Sequence, residues 1–357
     1  MTQKHRKNVW VCIVLAPLFL FSSNYEPISN INIASLEPLQ SVSGGRFLRF
    51  SNNDPNKLFS ASFNDITLWN IANSVVSMTF RVVPSLNENE IVEAVTLSQD
   101  DSSIIFAIVN TSTFDAKFNR LDLNTLKISA IFQTNLSVGM GMYRPIRALE
   151  FRSADALLAR NQARTIELRR LNENGNIEYL YVDDPNYVGE VYDIIFSPVD
   201  NIIAGAWGNS FEFETSDSNI RLWNLETRNQ IVELRGHTNT ILNIAYSNDG
   251  QLLASISSDE TIRIWSTNSF ATLCIFNQTQ WSNFTDLAFS LDASLLISSA
   301  VGGVLTFWDV SACEKIAERS FSDSQIMDIE FNSDGTRLAL ATVDDIVEIW
   351  GIPKLNS

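Results

Sequence analysis

The stretch GHTNTILNIAYSNDGQLLASISSDETIRIW, residues 236–265, decides how the rest of the chain is read. ILNIAYS and the nearly all-apolar LLASI flank Asp249-Gly250, a pair suited to a tight hairpin because glycine takes up positive φ at little cost. TIRIW then alternates polar and apolar side chains, the period of a half-buried strand. Tyr246, which leads the turn, and Trp265, which ends the third strand, are 19 residues apart.

Both marks recur along the chain. The turn reads RFSNNDPNKLFS, TLSQDDSSIIFA, EFRSADALLAR, IFSPVDNIIAG, AYSNDGQLLAS, AFSLDASLLIS and EFNSDGTRLAL, led by Phe50, Leu97, Phe151, Phe196, Tyr246, Phe289 and Phe331. Trp69, Trp223, Trp265, Trp308 and Trp350 end the third strands, and Leu121 and Arg169 stand in that place in units 2 and 3. The spacing of 19 holds in units 1, 5, 6 and 7. Each unit has room for about four short strands, and no helical period is sustained beyond the N-terminus. Such units in series predict an all-β, seven-bladed β-propeller of four-stranded antiparallel blades rather than a sandwich.

Gly236-His237, Ser257, Asp259 and Trp265 give this reading a family. In these residues the chain resembles the WD-repeat β-propellers, and the likeness extends over roughly residues 30–357. The resemblance implies a hydrogen-bonded network of His237, Ser257, Asp259 and Trp265 within one blade. Imidazole, hydroxyl, carboxylate and indole can satisfy one another when buried, whereas one alone would be costly. Asp115, Asp217 and Asp344 keep the place six before the Trp position, while Ala163 and Gly302 replace it in units 3 and 6. The chain ends seven residues after Trp350, so unit 7 lacks an outer strand. Residues about 30–37, with Ile31–Leu36 similar to Gln230–Arg235, are expected to supply it and to close the ring without an open sheet edge.

The first residues have a different character. Lys4, His5, Arg6 and Lys7 precede an uncharged apolar run, Val9–Phe21. At about 1.5 Å per residue a helix of that length falls short of a ~30 Å hydrocarbon core. Residues 1–23 therefore read as a signal peptide or an N-terminal membrane anchor, and 24–357 as the propeller. The expected location is secreted or in the cell envelope. Four glycosylation sequons, at Asn110, Asn135, Asn277 and Asn283, would matter only in a eukaryotic secretory pathway.

Composition narrows function. Acids outnumber bases 41 to 25, which argues against nucleic acid as partner and against docking on an anionic membrane, except through an uncleaved N-terminal segment. His237 is the one histidine of the body and falls in the Gly-His slot, a structural rather than catalytic place. No catalytic residue, cofactor or metal site is assigned. Cys274 and Cys313 lie nine and five residues after their Trp positions, at different heights of the outer strands of different blades. That placement makes a disulfide between them the lesser expectation.

The breaks in the repeat carry the functional expectation. Unit 4 has an insertion within Trp207–Ser218, WGNSFEFETSDS; unit 2 has one around Ala107–Ala116; and the link between units 2 and 3 is lengthened at Val138–Met142. By the family's geometry all three lie on one face, over blades 2 to 4. Trp207, Phe211 and Phe213, with Tyr143 and Arg144 nearby and Trp281 at the matching place in blade 6, are the candidate contacts for a protein partner, since Trp, Tyr and Arg dominate binding hot spots. The expected function is a non-enzymatic interaction scaffold. The competing expectation is an exported propeller enzyme or metal-binding protein using Asp193, Asp286 and Asp328, which with Asn243 occupy the third position of the innermost strands.

Overall fold

The computed structural model describes residues 11–13, 25–26, 37–43, 45–72, 75–82, 86–138, 142–143, 145–162, 164–171, 177–181, 189–208, 217–277, 284–321 and 324–353. They form seven antiparallel blades, each sheet ordered from an innermost to an outermost strand. The innermost strands are Phe47–Phe50, Glu90–Leu97, Leu149–Arg152, Glu190–Phe196, Ile241–Tyr246, Phe284–Phe289 and Ile326–Phe331. Because successive strands reverse, the turns after the second and fourth strands emerge on the same face of the ring.

The fixed spacing in sequence has a direct cause. The leading residue, an aliphatic residue on the second strand and the Trp position are one cross-strand row: Phe50, Leu58 and Trp69; Tyr246, Leu253 and Trp265; Phe289, Leu296 and Trp308; Phe331, Leu338 and Trp350. The same row holds in the divergent units, as Leu97, Ile104 and Leu121, and as Phe151, Leu158 and Arg169. Clusters of these buried residues fill the space between neighbouring blades, as where Trp308 of blade 6 packs with Ile262 and Ile264 of blade 5. Burial of an aliphatic side chain stabilises by about 1.5–3 kcal/mol, which makes this row the main determinant of register.

The ring closes through an N-terminal strand, as expected from the sequence. The strand is Glu37–Ser43, paired with Ile346–Gly351, and so lies later in the chain than residues 30–37. The connection to blade 1 accounts for the shift. Six residues separate Leu234 from Ile241 at the blade 4–5 link, but only three separate Ser43 from Phe47. Gly45 sits in that short link at φ +136°, where an added Cβ would lie 2.8 Å from Ser60 Cβ. Residues 31–36 lie outside the described residues. Two further backbone pairings involve the N-terminal region: Val11–Ile13 with the outer strand of blade 1, and Tyr25–Glu26 with the end of the third strand of blade 7.

Cys274 and Cys313 form a disulfide, with Cα atoms 5.5 Å apart, contrary to the sequence expectation. Cys313 is not on an outer strand. It sits in the turn before Glu314–Ser320 with φ +57°, and that turn reaches the outer strand of blade 5, where Cys274 is buried. Comparing heights along strands could not apply to a turn residue.

Candidate functional site

Two buried polar systems stand out: the network in blade 5 and the carboxylates of the central channel. In blade 5, Asp259 Oδ2 lies 2.9 Å from His237 Nδ1, and His237 Nε2 lies 2.8 Å from Ser255 Oγ. The Trp265 indole N–H donates to the same hydroxyl at 2.9 Å. An imidazole carrying its proton on Nδ1 satisfies all of these contacts. Burial holds the His237 pKa below the ordinary histidine value, although Asp259 opposes this. Burial pushes the Asp259 pKa up, but hydrogen bonds from His237 and Thr261 outweigh it and leave that carboxyl below its usual range.

The hydroxyl in this network is that of Ser255, not Ser257. Both face the same side of the strand, two residues apart. Ser255 is level with the indole, whereas Ser257 Oγ accepts from the Asp259 amide and donates to the Asn239 carbonyl. The signal was present in sequence, because Ser298 also lies ten before its tryptophan and accepts from the Trp308 indole at 2.9 Å. In blade 1 Ser60 accepts from Trp69 at 2.8 Å.

Trp207 is likewise not where the sequence put it. The second strand of blade 4 runs Ile202–Gly208, so Trp207 belongs to the strand and not to the insertion. It is fully buried, tilted against Trp223 at 5.1 Å, with the Arg221 guanidinium 5.1 Å from its ring. Gly205 takes the place that Ser255 has in blade 5, and a Cβ there would lie 2.6 Å from the Trp207 ring. Trp207 is therefore core and cannot be a surface contact for a partner. The backbone of Tyr143 pairs with Ser137, so part of the blade 2–3 link forms a small hairpin, Ser137–Val138 with Met142–Tyr143. The extra length of unit 2 lies largely in its strands: Ser103–Asn110 and Asp115–Asp122 are eight residues each, against six for their counterparts in blade 5. Arg144, Phe211, Phe213 and Trp281 lie outside the described residues.

The channel is a cavity of about 540 Å³ lined by Arg49, Glu150, Asp193, Asn243, Asp286, Asp328 and Glu330 among others. The predicted third-position residues meet there. A β-bulge precedes each, where pairing skips Tyr192, Leu242, Thr285 and Met327. The three carboxylates hold the backbone of the next blade. Asp193 Oδ2 accepts from the Ile244 amide at 2.9 Å, Asp286 Oδ2 from Ile329 at 2.7 Å, and Asp328 Oδ2 from Leu48 at 2.8 Å. Arg49, Glu150 and Glu330 were missed by sequence reasoning. They stand one residue before Phe50, Phe151 and Phe331, two after the third position and hence on the same side of the strand. Glu330 Oε2 accepts from the Phe50 amide at 3.0 Å, and Arg49 Nη1 lies 3.4 Å from Asp328 Oδ2.

Burial in this ring raises the carboxyl pKa values, with Arg49 opposing: to about 7 for Glu150 and about 8 for Glu330. Asp193 is pushed up to about 7 by burial and by Glu150. Asp286 is raised well above its usual range by burial and by Asp328, with which it shares a side-chain hydrogen bond. Burial would lower the Arg49 pKa, but Asp328, Glu330, Glu150 and Asp286 together raise it. Among the described residues, no group of three or more His, Cys, Asp or Glu is placed to hold a metal ion.

Comparison with known proteins agrees with this geometry. Residues 228–266 match the family model WD40, described as WD domain, G-beta repeat. The chain is 33% identical over 127 residues to a periodic tryptophan protein 2 homolog of Neurospora crassa, covering 34% of this chain and 12% of that protein. It is 23% identical over 173 residues to a guanine nucleotide-binding protein subunit beta of Oryza sativa subsp. indica, covering 45% and 44%. The chain thus spans less than half the length of these curated relatives. A chain in the crystal structure of the mitotic checkpoint complex matches with a TM-score of 0.69 at 16% identity, over 95% of this chain and 97% of that one, which shows the fold.

Proposed function

Starting from a seven-bladed WD-repeat propeller, we propose that this chain is a non-enzymatic protein-interaction scaffold. It is exported, it resides in the cell envelope or outside the cell, and it binds its partner on the loop-bearing face over blades 2 to 4. The observation that carries the reading is what the channel carboxylates do. Asp193, Asp286, Asp328 and Glu330 each accept a backbone amide from the adjoining blade. The polar groups that catalysis would recruit are thus engaged in holding the ring rigid, and a rigid ring suits a docking platform. The relatives point the same way, since one is named as a subunit and another belongs to a complex.

Export is supported by the basic start with its apolar run, Val9–Phe21, and by the Cys274–Cys313 disulfide, because such bonds persist in oxidising compartments. The longer hairpin of blade 2, the Ser137–Tyr143 hairpin and the insertion after Gly208 support the face. The test expresses the chain with its own N-terminus and determines the first residue of the protein recovered outside the cytoplasm. A pull-down with the mature propeller follows, repeated after shortening residues 209–216. A start near Ser23 or Asn24, or an intact anchor with the propeller outside, supports export. Cytoplasmic retention overturns that part, and unchanged capture by the shortened variant overturns the face.

The hydrogen-bonded pair Asp286 and Asp328 favours a second reading, an enzyme or metal-binding protein working in the channel. Metal content of purified protein separates the two: a stoichiometric metal lost in Asp286→Asn would displace the scaffold reading.

A further inference from the structure

The ring is closed twice, and the two closures differ in chemistry. The outer closure is the backbone pairing of Glu37–Ser43 with Ile346–Gly351. The inner closure lies in the channel, where residues about 280 apart in sequence meet: the Leu48 amide donates to Asp328 and the Phe50 amide to Glu330. Arg49 stands beside Asp328, and on the other side Asp286 of blade 6 hydrogen-bonds the same carboxylate while accepting from Ile329. Among the junctions described above, this is the one at which two carboxylates of one strand grip the next blade. The Arg46 Nε–Asp345 Oδ1 contact at 3.1 Å also crosses it, farther from the channel.

We infer that this inner closure is a latch held by protons: Asp286 and Glu330, protonated, keep blade 7 bound to its neighbours, blades 6 and 1, and their ionisation loosens those junctions before the rest of the ring. The charge count supports it. Among the described residues that line the channel, Arg49 is the cation facing Asp286, Asp328, Glu330 and Glu150, and Asp193 lies farther round the channel beside Glu150. One guanidinium cannot compensate several buried carboxylates, so ionising all of them sets like charges together at low solvation. Asp286 donates its proton to the Asp328 carboxylate, whose own pKa burial raises although Arg49 and the Leu48 amide oppose it. When that proton leaves, Asp286 and Asp328 repel across the blade 6–7 junction, and Asp328 is the carboxylate that holds Leu48 of blade 1.

The direction in pH follows. The raised Glu330 pKa, about 8, means that the closed junction binds a proton which the open one releases above the ordinary value of 4.5. Closure is therefore strongest below about pH 4.5 and weakens until about pH 8. In that window the opening constant rises about tenfold per pH unit for each proton released.

Hydrogen exchange followed by mass spectrometry on the full chain tests this between pH 5 and 8.5, after correction for the chemical exchange rate. The Leu48, Phe50 and Ile329 amides should lose protection by about tenfold per unit for each proton released, with the Glu330 contribution levelling off above about pH 8, while Leu252–Ser257 in blade 5 keep theirs. The double variant Asp286→Asn, Glu330→Gln retains acceptor oxygens but cannot ionise, and its slope should flatten. Asp193→Asn, at the blade 4–5 junction, should leave the slope at Leu48 and Phe50 unchanged. Equal slopes in blades 5 and 7 overturn the inference, as does protection at Leu48 and Phe50 that does not change with pH. Should the double variant not fold, the wild-type comparison alone decides.

Discussion

Blades 5 and 4 are neighbours with the same strand order and the same cross-strand row, yet they fill it by opposite means. Blade 5 places Ser255 beneath Trp265 and ties the indole through that hydroxyl to His237 and Asp259. Blade 4 places Gly205 there and fills the space with a second indole, Trp207, packed on Trp223. Blade 3 gives a third solution, with Arg160 in that place, paired to Glu167 at 2.6 Å and buried with it. The row sets the geometry of a blade, and its content is interchangeable provided that volume is filled and polar atoms find partners.

The largest effect is expected where volume is removed. Trp207→Ala should cost about 3–5 kcal/mol in urea unfolding, because it leaves a cavity over Gly205 that the strands cannot collapse to fill. A loss under about 1 kcal/mol would mean that Trp207 is not core and would return it to the partner-binding candidates. Blade 5 is in addition tied covalently to blade 6, whereas no such bond is described for blade 4. Reducing Cys274–Cys313 should cost about 2–4 kcal/mol and lower the melting temperature, as a nonreducing-versus-reducing melt would show. An identical melt in both conditions would mean that the two thiols are not joined.

A hydroxyl exchange is expected to matter less. Ser255→Ala leaves His237 Nε2 and the Trp265 indole without their shared partner and should cost about 1–3 kcal/mol. Ser257→Ala, two residues on, should cost less, since it ends only a turn contact. The reverse order would reinstate Ser257 as the network residue. His237→Ala should also lower stability.

The smallest effect is a matter of sign. His237 is held neutral with a lowered pKa, so its unfolded form binds more protons, and stability from blade 5 is lost as pH falls below about 6.5. The channel carboxyls, with raised values, lose stability as pH rises towards 7 to 8. His237→Gln should therefore flatten the acid side of a plot of melting temperature against pH and leave the alkaline side alone. A variant that flattens the alkaline side instead would reverse the assignment.

Much of the fold could be read because its cause is local and repeated. Tyr246, Leu253 and Trp265 have counterparts along the chain because every blade sets three side chains in one cross-strand row, and seven repetitions make the pattern unmistakable. The third-position acids Asp193, Asp286 and Asp328 were legible for the same reason. Their task was not, because the amides that they hold belong to the next blade or lie across the ring seam. The assignment of Ser257 rather than Ser255 missed a spacing that the sequence carried, since both project from one face of one strand and only the height of Trp265, ten residues on from Ser255 as Trp308 is from Ser298, distinguishes them.

The sequence by itself determined the seven units, their four-strand order and the need for an N-terminal strand to complete the last, because these follow from apolar periodicity and turn chemistry carried within each unit. The tertiary structure alone decided where Glu37–Ser43 joins the ring, that Trp207 turns inward, that Cys274 meets Cys313, and that Arg49 answers the carboxylates of several blades. Each of these is a meeting of residues from distant or differently spaced segments. Such meetings depend on how the blades curve round a common axis, which no spacing along the chain records.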